Sequence, residues 1–130
     1  MDKAAIRRRA ALGMAVLTAS GLLVVAGPVT GDAEAAALCS GRKVRTLPFS
    51  TGFVQVYKNR GYVCAVTRPK KPGSWQKMSV TVRAWGSRAA FDAGLFRRHA
   101  GPESVHAGHR CVRVTGSVGS GSVNSGWILC

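Results

Sequence analysis

Acidic side chains are nearly missing from this 130-residue chain, with five Asp and Glu against nineteen Lys and Arg. Over residues 38–130 only Asp92 and Glu103 remain, against fifteen Lys and Arg, a formal charge of +13. A carboxylate pair for glycoside hydrolysis would have to be those two residues and no others. Close cysteine pairs are also missing. The four cysteines, at 39, 64, 111 and 130, are separated by 24, 46 and 18 residues, whereas a zinc site calls for pairs such as C-x2-C. No Ser sits in a nucleophile-elbow context. No segment holds an 11-residue apolar period of 3.6, so long amphipathic helices are excluded. The longest apolar run, residues 10–26, falls short of the ~20 residues that span a bilayer.

What that run fits instead is an export signal. Lys3, Arg7, Arg8 and Arg9 precede it, Pro28 follows it, and Ala-x-Ala sites allow cleavage after Ala35 or Ala37. Small Ala10 and Ala11 separate Arg7-Arg8-Arg9 from the first large hydrophobic residue, which favours the general export route over a twin-arginine one. Leu38 stands before Cys39 where a lipobox would have a small residue. The expected organisation is a cleaved signal peptide, 1–37, followed by one extracellular domain, 38–130, without a transmembrane segment. An even number of cysteines behind such a signal reads as two disulfides.

The stretch Phe53-Val-Gln-Val-Tyr-Lys-Asn-Arg-Gly-Tyr-Val-Cys-Ala-Val-Thr67 carries the clearest structural pattern. Two β-branched and aromatic runs flank Asn59-Arg60-Gly61, which reads as a three-residue hairpin loop with Gly61 in a left-handed bulge position. Alternation places Val54 and Val56 on one face, and Phe53, Gln55 and Tyr57 on the other. In 78–85, Met78, Val80, Val82 and Ala84 should face inward, and Ser79, Thr81 and Arg83 outward. Weaker strands are expected at 44–48, 95–99, 104–106, Val112–Val118 and 127–130. Residues 87–94 could hold a helical turn, and 116–122 reads as a flexible turn region. Pro69-Lys-Lys-Pro-Gly73 reads as an exposed loop. Short strands at about 8–12-residue spacing imply an all-β fold, a small antiparallel sandwich or barrel. Cys111 and Cys130 sit symmetrically about the turn at 119–122, so a hairpin there would oppose them. That favours Cys111–Cys130 and, by elimination, Cys39–Cys64 among the three possible pairings.

Several motifs occur together in one order: Cys64-Ala-Val-Thr67, Asp92-Ala-Gly94, Ala100-Gly-Pro102, Cys111 and the terminal Trp127-Ile-Leu-Cys130. In this the chain resembles the spore-associated protein A–like family, small secreted proteins of filamentous actinobacteria, over nearly all of residues 39–130. The resemblance implies a cell-surface or spore-surface setting and brings with it no catalytic residues and no cofactor.

The charge points the same way. A strongly cationic domain favours polyanions, with Arg68, Lys70, Lys71, Arg97, Arg98 and Arg110 as candidate contacts. The expected function is a non-catalytic surface protein held by electrostatic contacts to anionic cell-wall or spore-surface polymers. Non-specific nucleic acid is a possible further partner, through phosphate contact and stacking on Trp75, Trp85 or Phe96. Trp127 is expected in packing. Two other readings compete. One is a nuclease or other hydrolase with Glu103 as base, a histidine (His99, His106 or His109) as acid, and arginine against phosphate. The other is a toxin or inhibitor that binds a macromolecule. Composition alone supplies those residue types, and turn or edge-strand histidines are the plainer explanation.

The signal reading has a direct check. Mass spectrometry of culture supernatant or surface extract should find an N-terminus at Ala36 or Leu38, and recovery only as full-length membrane material would refute it.

Overall fold

The computed structural model describes residues 38–130; the expected signal peptide and its cleavage sites lie outside them. Eight strands follow in order: β1 (Arg42–Phe49), β2 (Gly52–Asn59), β3 (Tyr62–Pro69), β4 (Gln76–Ala84), β5 (Ala89–Phe96), β6 (Ala100–His106), β7 (Val112–Val118) and β8 (Gly121–Ile128). They form two four-stranded sheets, β1-β2-β3-β6 and β5-β4-β7-β8, and every pairing is antiparallel. Two separate sheets make this a sandwich and set aside the barrel. Among the described residues no helix is long and apolar enough to cross a membrane.

The alternation of β-branched residues explains the packing. Val54, Val56, Val63 and Ala65 of the first sheet meet Met78, Val80, Val82, Val112, Val114 and Val118 of the second in one buried cluster. Ser79, Thr81 and Arg83 point away from it, as the period of two requires. Part of the first sheet's other face is buried as well. Gln55, Tyr57, Cys64 and Val66 have little exposure there, and Leu38 and Cys39 pack against Tyr57, Cys64 and Val66.

Both favoured disulfides are present. Cys39–Cys64 ties the segment before β1 to β3, and Cys111–Cys130 joins the start of β7 to the residues after β8. Their sequence separations are 25 and 19. Closing loops of that size removes unfolded-state entropy worth about 3 kcal/mol each in the chain-entropy model.

Four local expectations are corrected. The β2–β3 loop has two residues, since Asn59 pairs with Tyr62. Arg60 (φ 51) and Gly61 (φ 84) are both left-handed, the pattern of a type I′ turn whose twist suits the strands. Residues 87–94 form no helical turn. The exposed ladder of β4 captures Ala89–Phe96 as β5, from Arg83↔Ala89 to Gln76↔Phe96. The alanines there have helix propensity but no apolar 3.6-residue face to bury, so pairing wins. Arg68 and Pro69 lie inside β3 and are buried, because β3 continues to Pro69 opposite Gly52. Proline fits at that last position, where the ladder ends. The region 116–122 belongs mostly to β7 and β8, with only Gly119 and Ser120 as the turn. The closing strand therefore begins six residues before Trp127.

Two contacts bridge the layers. Gly101 N donates to Asp92 Oδ2 (2.9 Å), joining edge strand β6 to edge strand β5. Thr51 Oγ1 donates to Val118 O (2.6 Å) near the β1–β2 turn. Between the sheets, Gly116 allows a close approach. A Cβ there would strike Val54 Cγ2 and Thr67 Oγ1. Both neighbours are fully buried, so neither can move without disturbing the core. Gly116→Ala should therefore lower stability by about 1–3 kcal/mol, as overpacking does, read as a lower midpoint in urea unfolding with an unchanged slope.

Candidate functional site

The six cationic candidates fall in three places. Lys70 and Lys71 lie in the connection 70–75 between β3 and β4, while Arg97 and Arg98 directly follow β5. Antiparallel pairing of β4 with β5 brings these two segments together. Gly73 N donates to Arg97 O (2.9 Å), and Arg97 Nε donates back to Gly73 O (2.9 Å). The Arg97 guanidinium lies 5.6 Å from the centroid of Trp75, within cation–π range. Trp75 is 67% exposed. Lys70 N donates to Thr51 O (3.0 Å), and Gln76 Nε2 to Lys71 O (3.0 Å), which fix the loop backbone. Ser50, Thr51, Lys70, Lys71 and Gln76 line a shallow depression of about 240 Å3.

Lys70, Lys71, Arg97 and Arg98 are all exposed at this end of the sandwich, and Lys77 at the start of β4 joins them. Among the described residues no acid offsets them there. Asp92 and Glu103 sit on the inward sides of β5 and β6, opposite Val80 and Ala65. The arrangement can bind an extended anion by charge while presenting one aromatic face.

Arg68 does not join the group, being 7% exposed within β3. Arg110 does not join it either and has a different role. Its Nε donates to Ala107 O (3.1 Å) and its Nη2 to His106 O (2.6 Å). Its Nη1 donates to Trp85 O (3.1 Å) and Ser87 Oγ (2.7 Å). One guanidinium thus pins the β4–β5 turn to the turn after β6, at the far end of β4 from Trp75. By strand rise that is about 30 Å away.

The titratable residues considered for catalysis are spread apart. Glu103 faces inward beside Ala65, whereas His106, three residues on, faces outward with Tyr62, their rings 4.9 Å apart in an edge contact. The two lie on opposite faces of β6. His99 Nδ1 is 2.9 Å from Gly101 O, and His109 lies in the turn between β6 and β7. Among the described residues no three His, Cys, Asp or Glu cluster to hold a metal ion.

Sequence reasoning missed a second cationic and aromatic group, on the outward face of the second sheet. Trp127 pairs with Arg113 in the β7–β8 ladder. It packs against Trp85 (centroids 4.8 Å, 67° between planes) instead of entering the core. The outward position of Arg83 in β4, combined with a β7–β8 hairpin closed by Cys111–Cys130, was the available signal.

No family model matches the chain, and no curated protein or solved structure is detectably similar to it.

The two kinds of arginine should separate in a stability measurement. Arg110→Met should cost about 1–2 kcal/mol through its lost hydrogen bonds. Arg98→Met should stay within about 0.5 kcal/mol, as exposed substitutions do. Urea unfolding of both variants beside the parent checks this.

Proposed function

We propose that the domain is a non-catalytic surface-associated protein, exported from the cell and held to anionic envelope polymers by electrostatic contact. The observation that carries this reading is the meeting of Lys70, Lys71, Arg97 and Arg98 around the exposed Trp75, with no acid of the described residues beside them. Two disulfides are compatible with an oxidising, extracellular setting. The resemblance to spore-associated protein A–like proteins points to the same cell- or spore-surface location. Separation of Glu103 from His106 across β6 makes binding a better reading than hydrolysis by that pair.

Phosphate-rich wall polymers suit the site, because each cation that meets a phosphate releases a counterion. Four such contacts make affinity fall roughly a hundredfold between 50 and 200 mM salt if the polymer behaves as nucleic acid does. The protein should therefore elute from cells or spores under a rising sodium chloride wash and be mostly removed at 1 M. Lys70→Glu with Lys71→Glu should shift elution to lower salt while leaving the unfolding midpoint nearly unchanged, since both side chains are exposed. Retention that ignores salt but yields to detergent would replace charge by hydrophobic docking.

A further inference from the structure

The outward face of the second sheet is built in rows set by the strand register. Arg83 lies directly opposite Arg113, and Arg113 directly opposite Trp127. Two like charges facing each other across a ladder are unfavourable without a counter-charge. None is available, because both acids of the described residues face inward. Arg83 Nε donates to Ser87 O (3.0 Å). Arg113 Nε is buried and has no hydrogen-bond partner among the described residues. The Arg113 guanidinium lies 4.6 Å from the Trp127 ring centroid. With Trp85 and Gly86, these residues wall a depression of about 410 Å3, and Trp85 is 58% exposed.

The chemistry beyond the arginines changes along β4. The next row carries Thr81 opposite Thr115, and the one after it Ser79 opposite Ser117. The Ser79 and Ser117 hydroxyls are 2.6 Å apart. Ser117 pairs with Ser122 and Thr115 with Asn124, and the same residues line a shallow trough of about 260 Å3. From the Arg83 row to the Ser79 row is about 13 Å of strand.

The geometry points to a binding site for a carboxylate-bearing oligosaccharide on this face. The paired guanidinium forks match a carboxylate. The exposed Trp85 ring offers a flat apolar surface to a sugar ring. The hydroxyl and amide rows supply donors and acceptors for sugar hydroxyls. A nucleic-acid strand would present a phosphate at every step and call for a cation at each. The Thr and Ser rows hold none: the charges on this face are the Arg83–Arg113 pair at one end and the single Lys77 one row beyond Ser79. Arg83, Arg113 and Trp85 lie at the end of β4 away from Lys70 and Trp75, so changes there are independent of the attachment proposed above.

Calorimetric titration of the purified full chain with a galacturonic acid hexamer tests the assignment. A neutral galactose hexamer and a twelve-residue oligothymidylate serve as comparisons. The acidic hexamer should bind at least tenfold more tightly than the neutral one and more tightly than the oligothymidylate. Arg113→Gln, Arg83→Gln and Trp85→Ala should each weaken it at least tenfold, with circular dichroism confirming that the variant folds. Lys70→Glu with Lys71→Glu should change it less than twofold. The proposal is overturned if the hexamer does not bind at millimolar concentration, or if oligothymidylate binds as tightly with the same losses. It is equally overturned if the Lys70 and Lys71 changes abolish binding while the Arg83, Arg113 and Trp85 changes do not.

Discussion

The scarcity of acidic partners shapes how this protein uses its arginines. With Asp92 and Glu103 turned inward, guanidinium groups at the surface find backbone carbonyls. Arg97 holds Gly73, Arg83 holds Ser87, Arg45 holds Val44, and Arg110 holds Ala107, His106 and Trp85. A guanidinium suits this task because its planar fork carries five donors and no acceptor. Such contacts place charge near turns and order them, yet they leave the net charge undiminished. The domain therefore keeps a strong positive field, and its cohesion must come from packing and covalent links.

Those sources are visible in the two layers. The inner faces are dominated by valine and alanine, small side chains that let the sheets approach closely and leave little room for adjustment. Gly116 marks one such close approach. The two disulfides add covalent constraint outside that inner cluster. One anchors the segment before β1 onto the outer side of the first sheet, and the other clamps the β7–β8 hairpin beside Trp127.

Much of the architecture was legible because alternation in the β2–β3 and β4 segments is strong and the cysteines bracket a hairpin. The Met78, Val80, Val82 and Ala84 face was readable residue by residue. Burial of Gln55 was not, since a period of two assigns residues to faces without saying what covers each face. Residues 87–94 misled because local preference was decided by a strand edge elsewhere in the chain. In the candidate site, Lys70, Lys71, Arg97 and Arg98 were legible as charges, and the β4–β5 hairpin unites them. Arg68 and Arg110 were lost for opposite reasons. One is absorbed into a strand longer than its proline suggested, and the other is occupied by carbonyls distant in sequence.

The placement of β6 has a consequence for how the chain can be divided. Strands β1 to β3 are contiguous, but their sheet is completed by a strand that arrives only after β4 and β5 have built part of the other layer. Neither sheet is a continuous piece of polypeptide. A cut after β3 leaves that sheet with an open edge at Tyr62–Pro69, and a cut after β5 leaves β4 without β7 on its other side. The domain thus has no smaller autonomous half. Its order parameter for assembly is the arrival of residues 100–118, and it belongs with the slow, non-local β topologies whose folding takes about milliseconds to seconds.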